Sequence, residues 1–212
     1  MADIRTLGRN GSNMGAGQQD ALNRMRGLPS GLSALMERAG KNERGIPPVE
    51  RWNPPFCGDL DIRIASDGSW WYLGTPIGRE ALVRLFASVL RKDDDGKTYL
   101  VTPVEKIGIT VEDAHFIAVE MHRQGEGETQ QLILRTNVGD VVEIGPEHPL
   151  RFETDPVNGG LKPYLHVRGR LEALCSRPLL YQLADYFVED PAGPETRLGV
   201  WSNGTFFAID ES

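Results

Sequence analysis

The sequence predicts an α+β protein of two halves, each built on the same order of strand, strand, helix, strand, strand. Three observations carry this. Two apolar helices, one from Arg79 to Leu90 and one opening at Arg177-Pro178, stand 98 positions apart (177 against 79). Around each, short segments alternate apolar and polar residues with the period of a strand. Asp67-Gly68 and Asn203-Gly204 lie between such segments, and both are hairpin signals because both turn positions must accept positive φ.

Taken in order, residues 1–19 are rich in Gly, Asn, Ser and Gln with few apolar anchors, and a disordered leader is expected over residues 1–27. Leu32, Leu35, Met36 and Ala39 then have helical spacing, which Gly40 ends. The prolines from Ile46 to Pro55 forbid helix and predict a stiff extended connector. Leu60, Ile62 and Ile64 alternate with Asp59, Asp61 and Arg63 as in a strand. With a two-residue turn at Asp67-Gly68, Ile64 faces Trp71 and Ile62 faces Leu73. That register gathers Asp61, Arg63, Trp70 and Tyr72 on the other side, and a longer loop would exchange the two faces.

The first helix carries Ala81, Leu82, Leu85, Phe86, Val89 and Leu90, and Asp93-Asp94-Asp95-Gly96 breaks the chain after it. Strands follow at Thr98–Thr102, Ile107–Val111, Phe116–His122, Gln131–Thr136, Val141–Ile144 and Leu150–Glu153, with a long one from Tyr164 to Leu174. Ser176 caps the second helix, where proline suits the first turn. After the Pro191–Pro194 break come strands Leu198–Trp201 and Thr205–Ile209. Seven strand segments and one helix from Phe116 onward are enough for a partly closed barrel with a helix over one opening.

The hairpin-to-hairpin offset of 136 (203 against 67) leaves the first helix without a counterpart. The offset of 98 sets Leu82 opposite Leu180, Leu85 opposite Leu183 and Leu100 opposite Leu198, and so preserves topology. The halves are placed at 28–112 and 113–212.

The 212 residues, 40% hydrophobic, suffice for one or two compact domains. The net charge of −7 divides into eight basic against five acidic residues up to Arg51, and 15 against 25 beyond it. An acidic body argues against binding nucleic acid polymers or anionic membranes without sequence preference. No apolar run reaches membrane length, and two cysteines, Cys57 and Cys175, fit a reducing cytoplasmic setting. The four histidines lack metal-ligand spacing. No P-loop, dinucleotide fingerprint or nucleophile elbow is present, so no cofactor is expected and the enzyme reading is weakened.

A series of motifs goes beyond pattern. It comprises Pro47-Pro48-Val49-Glu50-Arg51-Trp52-Asn53-Pro54, Gly58 to Ile64, Asp67-Gly68-Ser69-Trp70, Gly74-Thr75-Pro76-Ile77 and Leu100 to Lys106. In this the chain resembles a bacterial family known as domain of unknown function twelve eighty-five, from about Leu28 onward. The resemblance implies a duplicated core, a C-terminal half similar to pleckstrin-homology (PH) folds, and a signalling role with a nucleotide-like ligand between the halves. It supplies no catalytic residues, and this chain departs from it in its longer Gly/Asn-rich leader.

Candidate binding residues follow from chemistry. On the face of Asp61, Arg63, Trp70 and Tyr72, a guanidinium could take a phosphate while a ring stacks on a base. The competing reading is an arginine laid on an aromatic ring to seal a sheet surface. At the corner Thr102-Pro103-Val104-Glu105-Lys106, Lys106 and the Thr102 hydroxyl could bind phosphate and Glu105 could orient a ligand hydroxyl; a proline-fixed turn explains the same residues. Asn137 could read a base edge, but a turn that needs Asn and Gly explains it without any ligand and is the favoured reading. The expected function is a ligand-binding or sensor module. The alternatives are an adaptor that takes a protein partner's strand at a barrel edge and an enzyme using Glu105 or Asp61 as base.

Overall fold

Strand-forming sequence dominates the chain, and so does strand in the computed structural model, which describes residues 28–38, 45–190 and 197–209. The expected leader, the Gly40 helix stop and the Pro191–Pro194 break lie outside the described residues. In chain order the elements are helix α1 (Ser30–Arg38), strands β1 (Phe56–Ile64), β2 (Trp70–Tyr72) and β3 (Thr75–Pro76), helix α2 (Glu80–Ser88), and strands β4 (Leu90–Lys92), β5 (Thr98–Val101) and β6 (Lys106–Val111). The second half holds β7 (Phe116–Gln124), β8 (Gln131–Thr136), β9 (Val141–Glu143), β10 (Leu150–Thr154), β11 (Leu161–Arg168), β12 (Leu171–Cys175), helix α3 (Arg177–Ala184), β13 (Val188–Glu189), β14 (Leu198–Ser202) and β15 (Thr205–Ala208).

The protein is mostly β with few helices, built as two halves around two curled six-stranded sheets. Their orders are β3-β2-β1-β6-β5-β4 and β10-β11-β12-β7-β8-β9, and β13-β14-β15 form a third, three-stranded sheet. Each large sheet joins two antiparallel meanders through one parallel pair, β1 with β6 and β12 with β7. Numbered from its own first strand, each runs 3-2-1-6-5-4. The second sheet is a half-barrel. The Asn203-Gly204 turn enters it: the Asn203 N–H donates to Gln130 O at 2.9 Å, and the Ser202 hydroxyl accepts from Leu132 N and donates to Ile144 O. One contiguous apolar core runs through both halves, from Ile62, Trp70 and Phe86 to Phe116, Leu132 and Val200.

The structure differs from the sequence reading at four places. The hairpin at Asp67-Gly68 has a three-residue loop, because Ala65 pairs with Ser69 (Ala65 N to Ser69 O, 2.9 Å) and Gly68 sits at φ 80°. The Asp67 carboxylate accepts from the Ser69 N–H and hydroxyl, which fixes this turn with Gly68 in the left-handed position. The register is therefore Ile62 with Tyr72, Arg63 with Trp71 and Ile64 with Trp70. The expected long strand is two, folded back at Gly169. Helix α2 is shorter than expected, and Leu90 belongs to β4 instead. The proline connector is not extended throughout: Pro47 and Pro48 lead into a 3-10 turn at Val49–Arg51, since proline lacks only an N–H that a first turn leaves unbonded. Among the described residues, no helix is long and apolar enough to cross a membrane.

Candidate ligand cleft between the halves

The one-residue change of register takes the first candidate face apart. Trp70 (2% exposed) and Tyr72 (7%) pack inward beside Ile62 and Ile64. Arg63 stays outward, lies 5.2 Å over the Trp71 ring and pairs with Glu112, while Asp61 is exposed. The corner residues hold structure as well. The Thr102 hydroxyl accepts from the backbone N–H groups of Val104 and Glu105, closing a turn over Pro103. Glu105 is buried and its Oε1 accepts from Leu32 N at 2.7 Å, in the first turn of α1. Lys106 pairs with Asp93 at 3.0 Å and sits 4.5 Å over the Tyr99 ring. Along β1, Lys106 stands opposite Phe56 and Arg63 opposite Thr110. β1 bulges twice between them, so the spacing is set by β6, where Lys106 and Thr110 are four residues and about 13 Å apart. Each cation is also taken by its own carboxylate, Glu112 for Arg63 and Asp93 for Lys106. Arg63 and Lys106 do not share a cleft.

Asn137 joins the halves. Its Oδ1 accepts from Ile117 N at 3.0 Å, and its Nδ2 donates to Gly68 O at 3.4 Å. Arg168 does the same on a larger scale. Its guanidinium pairs with Asp140 at 2.6 Å, donates to Ala87 O at the end of α2 at 2.8 Å, and lies 4.9 Å over Phe116.

Beside this seam is a cleft of about 410 Å³, bordered by Leu60, Ile109 and Val111 on β1 and β6, Lys92 and Thr98 on β4 and β5, and Asp113 and His115 on the segment entering β7. Lys92 is directly opposite Thr98, and Thr98 opposite Ile109, so the three share one face of the sheet. The turn that sets this pairing repeats the first hairpin: Asp93 bonds Lys97 across Asp94-Asp95-Gly96, and Asp95 accepts from Lys97 N. Lys92 is half-buried and has no hydrogen bond or ion pair among the described residues. Lys97 borders the same cleft.

His115 closes the inner side. Its Nδ1 receives the Glu172 N–H at 3.3 Å and its Nε2 lies 3.1 Å from the Thr98 hydroxyl. Burial pushes the ring's pKa down to about 4, and the charge of Lys92 pushes the same way. Glu172 is held below the usual carboxylate range chiefly by Arg151, which grips it with two bonds of 2.6 and 2.7 Å. Asp113 is already occupied, by Lys162 at 2.5 Å and the Tyr164 hydroxyl at 2.6 Å. The cleft therefore offers two ammonium groups, Lys92 and Lys97, a buried hydroxyl and a neutral imidazole beside Leu60, Ile109 and Val111, with the exposed Asp59 carboxylate at its outer border.

A second cleft, of about 770 Å³, lies between Glu50–Asn53, the Asp93–Asp95 turn and Gly169-Arg170, with Lys92 again on its border. Half of its eight charged residues pair with one another, Arg91 with Asp93 and Arg170 with Asp94, and Lys106 from outside the cleft also pairs with Asp93. Among the described residues, no group of three or more His, Cys, Asp or Glu could hold a metal ion. Sequence reasoning missed Lys92, Thr98 and His115. The hairpin signal in Asp95-Gly96 could have paired the first two, but nothing local announces that His115 meets them.

A family model described as the N-terminal domain of a domain of unknown function (DUF1285) matches residues 47–114, and its C-terminal counterpart matches residues 115–209. No curated protein matches the chain. The crystal structure of a DUF1285 family protein from Silicibacter pomeroyi DSS-3 is 46% identical over 82% of this chain and 93% of its own, with a TM-score of 0.76. A DUF1285 family protein from Shewanella baltica OS155 is 27% identical over 58% of this chain and 90% of its own, with a TM-score of 0.46. Two domain matches in tandem over residues 47–209, with a relative of the same two-half fold, place the chain in one family: it belongs to DUF1285.

Proposed function

We propose that the protein is a cytoplasmic ligand-binding or sensor module that takes a small anion, with a nucleotide-like molecule the first candidate, in the cleft between its halves. One observation carries this: Lys92, half-buried beside Thr98, makes no ion pair among the described residues, and the Glu172 carboxylate that feels its charge from further off is already gripped by Arg151. A cleft of about 410 Å³ is within the range of small-molecule sites. A ligand there would touch the sheet of one half and the segment entering the other, which suits signalling. The shared strand order of the large sheets supports a duplicated core. Its first strands, Phe56 and Phe116, are 60 positions apart, whereas the offset of 98 aligns the helices. A half-barrel with one helix packed on β7 supports the PH-like reading of the second half.

Thermal denaturation with a panel of nucleotides at millimolar concentration tests the proposal, because a ligand that binds only the folded state raises Tm. At least one nucleotide is expected to raise it by several degrees, and Lys92→Ala is expected to abolish the rise. A flat response across the panel overturns the proposal.

A second reading, an adaptor for a protein partner, rests on strand β9. It is the last strand of its sheet, and Val141 (67% exposed) lies near Val119 (40%) on the outer face. An added strand could pair there. A partner captured by the wild-type protein and lost with Val141→Lys would favour this reading.

A further inference from the structure

We infer that the cleft is built for an oxyanion that accepts a hydrogen bond from the Thr98 hydroxyl, and that His115 is the positioning residue that keeps that hydroxyl free to donate. This deepens, and rests on, the reading of the cleft as an anion site.

The direction of each bond follows from the one before. The Glu172 backbone N–H can only donate, and it meets His115 Nδ1 at 3.3 Å, so Nδ1 carries the lone pair. A buried, neutral ring then has its proton on Nε2. Nε2 therefore donates across the 3.1 Å contact, and Thr98 Oγ1 is the acceptor. The proton of Oγ1 must turn elsewhere, and among the described residues Oγ1 makes no hydrogen bond besides the one to His115. Thr98 is 6% exposed and borders the cleft. A buried donor left unmet is costly, and native structures rarely tolerate one.

Across the strand pair, Lys92 stands next to this hydroxyl on the same face, with Cβ atoms about 5 Å apart. A hydroxyl donor and an ammonium side by side suit a group with acceptor oxygens only. A carboxylate or phosphate fits that description, and an amine does not. If His115 took the other tautomer, Thr98 would spend its proton on Nε2 and the cleft would lose its neutral donor.

The test uses the full chain, labelled with ¹⁵N, titrated separately with inorganic phosphate and with acetate, while the His115 ring nitrogens are read by long-range ¹H–¹⁵N correlation. The expected result is an Nε2–H ring at neutral pH and binding of one of the two anions. Thr98→Val should weaken that anion about tenfold, the order for a hydrogen bond to a charged group, and Thr98→Ser should restore it. The arm that binds distinguishes phosphate from carboxylate. An Nδ1–H or doubly protonated ring overturns the inference, and that measurement needs no substitution. Binding that is lost in Lys92→Ala but unchanged in Thr98→Val also overturns it and leaves the cleft reading standing. No binding of either anion by the wild-type protein up to roughly 50 mM, a free energy below 2 kcal/mol, removes both.

Discussion

The carboxylate of Glu105 holds α1 by its first turn, where backbone N–H groups have no partner within the helix and the dipole favours negative charge. Gly31 makes this approach possible: a Cβ there would lie 2.7 Å from Glu105 and from the Thr102 hydroxyl. Glu105→Ala should cost about 1–3 kcal/mol in urea unfolding, the range for a lost cap with a buried donor left behind. His115 makes a prediction in pH. An unfolded histidine titrates near 6.5, and burial brings the native ring to about 4. Above pH 6.5 the ring is neutral in both states and its contribution is complete. As pH falls toward 4, the unfolded chain takes up a proton that the native state refuses, and stability drops by about 2–3 kcal/mol. Urea titrations between pH 7.5 and 4.5 should show this slope, and His115→Asn should flatten it. These two residues also show what was legible. Glu105 and Thr102 drew attention as candidate binding residues, whereas the partner Glu105 holds is a helix some seventy positions upstream, which no local pattern reveals. His115 looked like one of four unremarkable histidines, because its burial comes from the meeting of the two halves.

At the scale of elements, all three hairpin signals mark real hairpins, but loop length separates them. Asn203-Gly204 makes a two-residue turn between Ser202 and Thr205, with φ of 52° and 68°. Asp67-Gly68 and Asp95-Gly96 make three-residue loops, in which the aspartate bonds the N–H two residues on and only the glycine is left-handed. Asparagine accepts the left-handed region more readily, so the Asn-Gly pair supports the tighter turn. One residue of loop decided which side of β2 went inward, and with it the fate of the Trp70 and Tyr72 candidates. The longer strands were legible from alternation, whereas the short ones, Thr75–Pro76, Leu90–Lys92 and Val188–Glu189, were not. Nor was the break at Gly169, since Leu165 and Val167 before it and Leu171 after it keep the same apolar alternation. The β2–β3 turn carries strain: Leu73, half-exposed, holds φ at 49° ahead of Gly74. Leu73→Asn should stabilise the protein by about 0.5–1 kcal/mol, because asparagine occupies this region at lower cost. Chemical denaturation checks it, and a loss of stability would show that the leucine side chain is held by packing instead.

At the scale of the molecule, one core passes through both halves, and Arg168 and Asn137 bond across the seam. The halves should therefore unfold together. Fluorescence of Trp70 and Trp71, which report on the first half, should change at the same urea concentration as that of Trp201 in the second, each followed in a variant lacking the other tryptophans. Two separated transitions would mean that the seam is weaker than its bonds suggest. Cooperative halves matter for function, because a ligand held at the seam then stabilises the whole chain. The central claim is that this seam binds a small anion at Lys92. Amide shift mapping during titration with adenosine monophosphate and with inorganic phosphate tests it most directly. The account predicts saturable shifts centred on Lys92, Thr98 and His115 that vanish in Lys92→Ala. Shifts absent from those residues, or unchanged by the substitution, would contradict it.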